Sequence, residues 1–241
     1  MTQIELSIWQ KISAVTPDWT RSQYFALLVI LSFLLLAYPF WPRNVLGLAT
    51  LDIVLWGLLI ASIHAVNHSK AYFRIALSLA IPTFIADIIA FNNPTRDWLI
   101  ISCLLDLSFI LFVTIVVIGN VMKQERVDVN KIFGAICGYI LLGLVWALIY
   151  GALELTFPGS FNGTISAGQN DAPHFAAMDQ FIYYSLVTLS TLGYGDITAV
   201  THSARSLSST EALVGQLYMA ILVARLIGLH IIESNRSSTS E

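Results

Sequence analysis

The sequence predicts an all-α membrane protein: six transmembrane helices, with a re-entrant helix and an irregular loop set between the last two. Three observations predict it. Hydrophobic residues make up 56% of the 241-residue chain and charged residues 11%, and the mean hydropathy of +0.74 lies outside the range of water-soluble domains. Six apolar stretches reach the roughly 20 residues that a helix needs to cross a hydrocarbon core of about 30 Å. Between the fifth and the sixth stands TLSTLGYGDI, residues 188–197, with two glycines, a tyrosine and an aspartate at a depth where helix would otherwise continue.

Taken in order, residues 1–21 precede the first span and place Ile4, Ile8 and Ile12 at helical spacing beside Trp9. That pattern suits either a helix lying on the inner membrane surface or an unstructured terminus. The spans are expected at 22–40, 45–66, 72–91, 98–120, 132–153 and 207–232. The first begins some twenty residues in and lacks a small-residue cleavage site, so a cleaved signal peptide is not expected. The charged linker 122–130 divides a four-helix domain, 22–121, from a C-terminal domain, 131–233, which is followed by a short tail, 234–241. The apolar run 181–189 is too short to cross.

A cytoplasmic N-terminus puts Lys11, Arg21, Lys70, Arg74, Lys123, Arg126, Lys131, Arg225 and Arg236 inside, against Arg43, Arg96 and Arg205 outside. The positive-inside rule supports that orientation, so the loop between the last two spans enters from outside. A net charge of −3 gives no reason to expect a nucleic-acid partner. Cys103 and Cys137 lie within apolar runs and are expected as buried thiols. No Cys/His cluster, phosphate-cradling G-x-x-x-x-G-K or G-x-S-x-G nucleophile motif is present, so neither an enzyme nor a cofactor is expected. Asn162-Gly163-Thr164 matches a glycosylation acceptor, relevant only in a eukaryotic source.

Asp179 is placed to cap a short helix running to about Ser190, after which Gly193 and Gly195 break helical geometry. Irregular backbone at membrane depth survives only where protein buries it or where it lines a watery path. With four copies around an axis, the carbonyls of Thr191, Leu192, Gly193 and Tyr194 and the Thr191 hydroxyl would stack as oxygen rings that replace a cation's hydration shell. Glycine at alternate positions permits this, because pointing successive carbonyls one way requires backbone angles that side chains resist. The negative C-terminal end of the short helix would favour a cation below the loop.

Here the chain resembles the potassium channel family, whose selectivity filter reads T-V-G-Y-G. The resemblance rests on Thr191-Leu192-Gly193-Tyr194-Gly195-Asp196 between two spans and covers about residues 131–233; Leu192 departs from the family's valine or isoleucine. It implies a homotetrameric pore embedded in membrane lipid, K+ held at Thr191, Leu192, Gly193 and Tyr194 with Gly195 completing the filter, and passive K+ conduction. It also implies filter support from Tyr183, Tyr184 and Thr188, a Tyr183 hydrogen bond to Asp196, and a cell-membrane location with both termini cytoplasmic. For the tyrosines, ordinary helix packing is the alternative. The sixth span resembles the inner helix: Gly215 is either a gating hinge or a close-packing glycine, and Met219 and Leu222 are the expected cavity-lining residues. Glu211 either pairs with Arg205, braces the short helix, or is a surface carboxylate.

Six spans repeat the layout of voltage-gated relatives, yet the fourth carries no basic residue within its apolar run. Moving one charge through 100 mV yields about 2.3 kcal/mol and steep gating needs several, so an arginine-based voltage sensor is not expected. Asp52, Asp87 and Asp106 are intramembrane carboxylates that must avoid lipid. They form either a proton-sensing polar cluster, with His64 nearby, or locally hydrogen-bonded pairs. His174 and His202 flank the filter on the outer side and are open to a pH role or none. The alternatives to a selective potassium channel are a weakly selective cation channel and a non-conducting regulatory or transporter-type subunit.

Overall fold

In hydrocarbon every backbone N–H and C=O must find its partner within the protein, which leaves the helix as the economical solution for an apolar stretch. The computed structural model describes residues 24–37, 70–123, 128–163 and 175–238, and it is helical nearly throughout. The helices are α1 (Phe25–Ala37), α2 (Lys70–Asn92), α3 (Arg96–Lys123), α4 (Val129–Thr156), α5 (Phe175–Leu189) and α6 (His202–Ser238), with two two-residue strands, β1 (Phe161–Asn162) and β2 (Thr198–Ala199). Among the described residues four segments are long and apolar enough to cross a membrane: Arg74–Asn92, Arg96–Lys123, Val129–Thr156 and His202–Leu229. This is a multi-pass membrane protein. The expected first span appears as the shorter α1, and the expected second span, the N-terminal segment 1–21, Asp52 and His64 lie outside the described residues.

Helix limits follow local chemistry. Asp128 is extended and its carboxylate accepts from the Lys131 N–H at 2.8 Å, an N-cap that starts α4. Thr201 does the same for α6, its hydroxyl accepting from the Ala204 N–H at 3.3 Å. The start of α6 therefore falls at His202, five residues ahead of the position that hydropathy alone predicts, because capping chemistry and not apolarity sets a helix terminus.

One core joins α1, α2, α3 and α4 through residues such as Leu27, Leu31, Val117, Cys137 and Leu141, all inaccessible to solvent. Both cysteines are free and buried. Tyr24 ties α1 to α4, its N–H donating to Asn130 Oδ1 at 3.3 Å. A second core, under the short helix α5, is aromatic: Tyr150, Phe161 and Tyr184 stack edge to face with ring centres 5.2–5.3 Å apart.

The turn that leaves α4 wraps one carboxylate. Glu154 accepts from the N–H groups of Gly159 (2.7 Å), Ser160 (2.9 Å) and Phe161 (3.3 Å), while Arg96 donates to the last α4 carbonyls, Leu155 and Thr156. The chain then enters β1, which pairs antiparallel with β2 beyond the filter loop, and the Val200 N–H donates to the Ser160 carbonyl at 2.8 Å. The top of α4 is thus hydrogen-bonded to the far side of the TLGYGD loop. Glu154→Ala should lower the stability of the detergent-solubilised protein by about 2–3 kcal/mol, since hydrogen bonds from buried donors to a charged acceptor are worth about that much. Thermal unfolding checks this, with Glu154→Gln, which keeps one acceptor oxygen, expected in between.

Candidate functional site

The TLGYGD loop is built from the end of α5. The Leu192 N–H donates to the Val187 carbonyl at 2.9 Å and the Thr191 N–H to the Thr188 carbonyl at 2.9 Å. That 6→1 and 5→2 pair is a Schellman cap, which demands a left-handed residue at the position occupied by Thr191. Its φ is indeed +58°, unusual for a β-branched residue. Left-handed φ then recurs at Gly193 (+60°) and Gly195 (+78°), whereas Leu192 and Tyr194 keep negative φ. An alternation of left- and right-handed residues turns successive carbonyls to the same side. Among the described residues no backbone N–H is hydrogen-bonded to the carbonyls of Thr191, Leu192, Gly193 or Tyr194. The loop is a row of free acceptors, accessible from residue 191 to 196.

Behind the loop, α6 approaches closely at Gly215. A Cβ there would collide with the Leu189 carbonyl oxygen and meet Leu189 Cδ1 at 3.0 Å. Close approach accounts for this glycine, and α6 runs through it as one continuous helix. The same Leu189 carbonyl accepts from the Tyr139 hydroxyl at 3.2 Å. The next residue on α6, Gln216, donates from Nε2 to Thr191 Oγ1 at 3.1 Å.

Glu211 braces the short helix. Its carboxyl is inaccessible to solvent and lies 2.5 Å from both the Tyr150 hydroxyl on α4 and the Ser185 hydroxyl on α5. Ser185 has one proton, and a second acceptor, the Gly143 carbonyl, is 2.7 Å away. The hydroxyl is therefore shared between the Glu211 carboxyl and the Gly143 carbonyl. Three helices are held by one buried carboxyl. Arg205 is not its partner; the Arg205 guanidinium donates to the Ala199 carbonyl at 3.2 Å.

The Tyr183 hydroxyl donates to Asp196 Oδ2 at 2.7 Å, joining the short helix to the outer end of the filter. Tyr184 lies in the aromatic core, its hydroxyl 2.7 Å from Ser208 Oγ on α6, and the Tyr194 ring is exposed in the single chain. Thr188 contributes a backbone carbonyl to the cap. Met219 is exposed on α6, but Leu222 needs correcting as a cavity-lining residue. It is 8% exposed and packs with Val121 and Ala135 of its own subunit. A helix apolar on all sides gives no periodic signal of which face meets protein. The exposed face holds Gln216, Met219, Val223 and Ile227.

Asp87 accepts from the Ser102 hydroxyl at 2.5 Å, joining α2 to α3, and Ser108 donates to its own helix at Leu104; Asp52 lies outside the described residues. Among the described residues no group of three or more His, Cys, Asp and Glu side chains is arranged to hold a metal ion. Sequence reasoning missed Gln216, Tyr150 and Ser185, since only tertiary contact marks them; a glutamine one residue after a close-packing glycine was the available signal.

Residues 136–229 match the family model described as "Ion channel". Protein LctB of Bacillus caldotenax is 25% identical over 131 residues, covering 51% of this chain and 96% of LctB, and LctB of Geobacillus stearothermophilus is 26% identical over the same shares. Two pore potassium channel c of Oryza sativa subsp. japonica is 36% identical over 92 residues, 36% of this chain and 19% of that protein. No solved structure matches. The residues matched by the family model contain α5, the TLGYGD loop and most of α4 and α6, and these similarities support an ion channel.

Two predictions follow from the geometry here. Glu211→Gln keeps the shape of the side chain and an acceptor oxygen for Tyr150, and should unfold within about 1 kcal/mol of wild type, whereas Glu211→Ala should lose about 2–4 kcal/mol. Equal damage from both would mean that the brace needs both carboxyl oxygens. At the far end of the loop, the Tyr183 hydrogen bond holds Asp196 below the usual carboxylate range, and donating it pushes the Tyr183 phenol up to about 12. The bond therefore contributes fully above the ordinary aspartate value near 4 and below the ordinary tyrosine value near 10. It is lost as pH falls through the lowered Asp196 value or rises through about 12. Tyr183→Phe should return Asp196 to an ordinary titration, measured as a rightward shift of the acid limb of thermal stability.

Proposed function

We propose that the chain is one subunit of a homotetrameric, potassium-selective channel that conducts K+ passively, with the filter entrance facing outward and both termini in the cytoplasm of a cell-membrane protein. The observation that carries this reading is the left-handed backbone at Thr191, Gly193 and Gly195, with the intervening carbonyls unpaired. Carbonyls left without donors at membrane depth cost several kcal/mol each. A dehydrated cation supplies the missing partner, and four chains around an axis would convert each row into rings at Thr191, Leu192, Gly193 and Tyr194. A potassium channel is among the relatives, 36% identical over 92 residues.

The Asp196–Tyr183 bond and the β1–β2 pairing hold the outer end of the row, and the cap at Thr191 holds the inner end. Both ends are fixed before any ion enters, so coordination does not have to order the loop. Gating is not by an arginine-based voltage sensor: α3, the fourth expected span, carries Arg96 and Lys123 only at its two ends.

Purified protein in liposomes should pass K+ at least about tenfold faster than Na+, and Gly193→Asp, which places a carboxylate and a Cβ at a left-handed position, should abolish the flux. Comparable Na+ and K+ fluxes would sink the selective reading in favour of a general cation pore. A tetramer by cross-linking with no flux of either ion would point to a regulatory subunit.

A further inference from the structure

Thr191 is the one non-glycine residue with left-handed φ among the described residues. The conformation costs a β-branched residue roughly 1–2 kcal/mol that glycine would not incur. What threonine adds for that cost is a hydroxyl, and the hydroxyl is held from the neighbouring helix: Gln216 Nε2 donates to Oγ1 at 3.1 Å. Gln216 comes to that position because Gly215 lets α6 close on the end of α5. The side chains of both Gln216 and Thr191 are exposed in the single chain, so nothing within the subunit covers them.

The hydroxyl has one proton and two lone pairs. A donor amide occupies one lone pair and fixes the rotor, leaving the other lone pair in a set direction. Because the amide donates through Nε2, its own Oε1 remains an acceptor one carbonyl away from the same spot. A polar amide at that point, on an exposed face otherwise formed by Met219, Val223 and Ile227, is an isolated source of negative partial charge at the inner end of the carbonyl row.

We propose that Gln216 is an ion-positioning residue: with Thr191 it forms the innermost cation layer, its Nε2 setting the hydroxyl and its Oε1 facing the ion held there. This rests on the tetrameric channel reading, in which four such amides ring the inner mouth. Ba2+, close to K+ in size and doubly charged, is the probe.

Two arms separate this proposal from its parent. Wild-type K+ over Na+ flux in liposomes tests the channel reading. The second arm measures the Ba2+ concentration that raises the thermal unfolding temperature of the detergent-solubilised protein, and it requires no conduction. Gln216→Leu should need about tenfold more Ba2+, Gln216→Glu about tenfold less, and the Thr191→Val/Gln216→Leu pair should be no worse than the weaker single variant. A merely structural glutamine would change the unfolding temperature without Ba2+ but leave the Ba2+ dependence alone. If Gln216→Leu and Gln216→Glu both respond within twofold of wild type, the proposal is overturned, whether or not the wild type conducts; should Gln216→Leu not fold, an unchanged response in Gln216→Glu overturns it by itself.

Discussion

A chain that leaves helical geometry inside a bilayer must find partners for every backbone group it releases, and that obligation organises this protein. At the end of α5 the released groups are handled one by one. Val187 and Thr188 carbonyls take the cap donors, the Leu186 carbonyl takes the Ser190 N–H and hydroxyl, and the Leu189 carbonyl takes the Tyr139 hydroxyl. Among the described residues the carbonyls of Thr191 to Tyr194 accept no backbone N–H, and these consecutive residues alternate in the sign of φ. The exception to the rule of internal pairing is local and regular.

The surroundings keep that row from relaxing into an ordinary turn. Glu211 ties α4, α5 and α6 together, one buried carboxyl accepting from the Tyr150 and Ser185 hydroxyls. Above the loop, Glu154 gathers three N–H groups and starts the ribbon that reaches β2. Two glutamates of like sequence appearance therefore do different work. One caps a turn, and the other ties helices.

The break in helix at TLGYGD was legible in the sequence because its signal is local: the motif sits between two apolar stretches, and the need for alternate glycines follows from backbone sterics. The apolar segments of α2, α3, α4 and α6 were legible from length and composition. Much of the rest depended on contacts between distant residues. Nothing in the string marks Thr191 as left-handed, since the cap position normally takes glycine; only the hydrogen bonds to Val187 and Thr188 reveal it. Leu222 was assigned to the wrong face because helices apolar all round carry no stripe. The partners of Glu211 come from α4 and α5, 61 and 26 residues away in sequence, beyond any pattern of spacing.

The length of α6 has a mechanical consequence. Its 37 residues make a rod of about 55 Å, against a hydrocarbon thickness of about 30 Å. Gly215, its closest point of approach to α5, divides that rod unequally, with about 35 Å on the C-terminal side. The glycine acts as a fulcrum near the short arm. A tilt of about 5° there would carry the far end through about 3 Å while moving Gln216 by a small fraction of that. Any force applied at the C-terminal end therefore arrives beside the TLGYGD loop with mechanical advantage, and α6 can swing at that end while the atoms around Thr191 scarcely move.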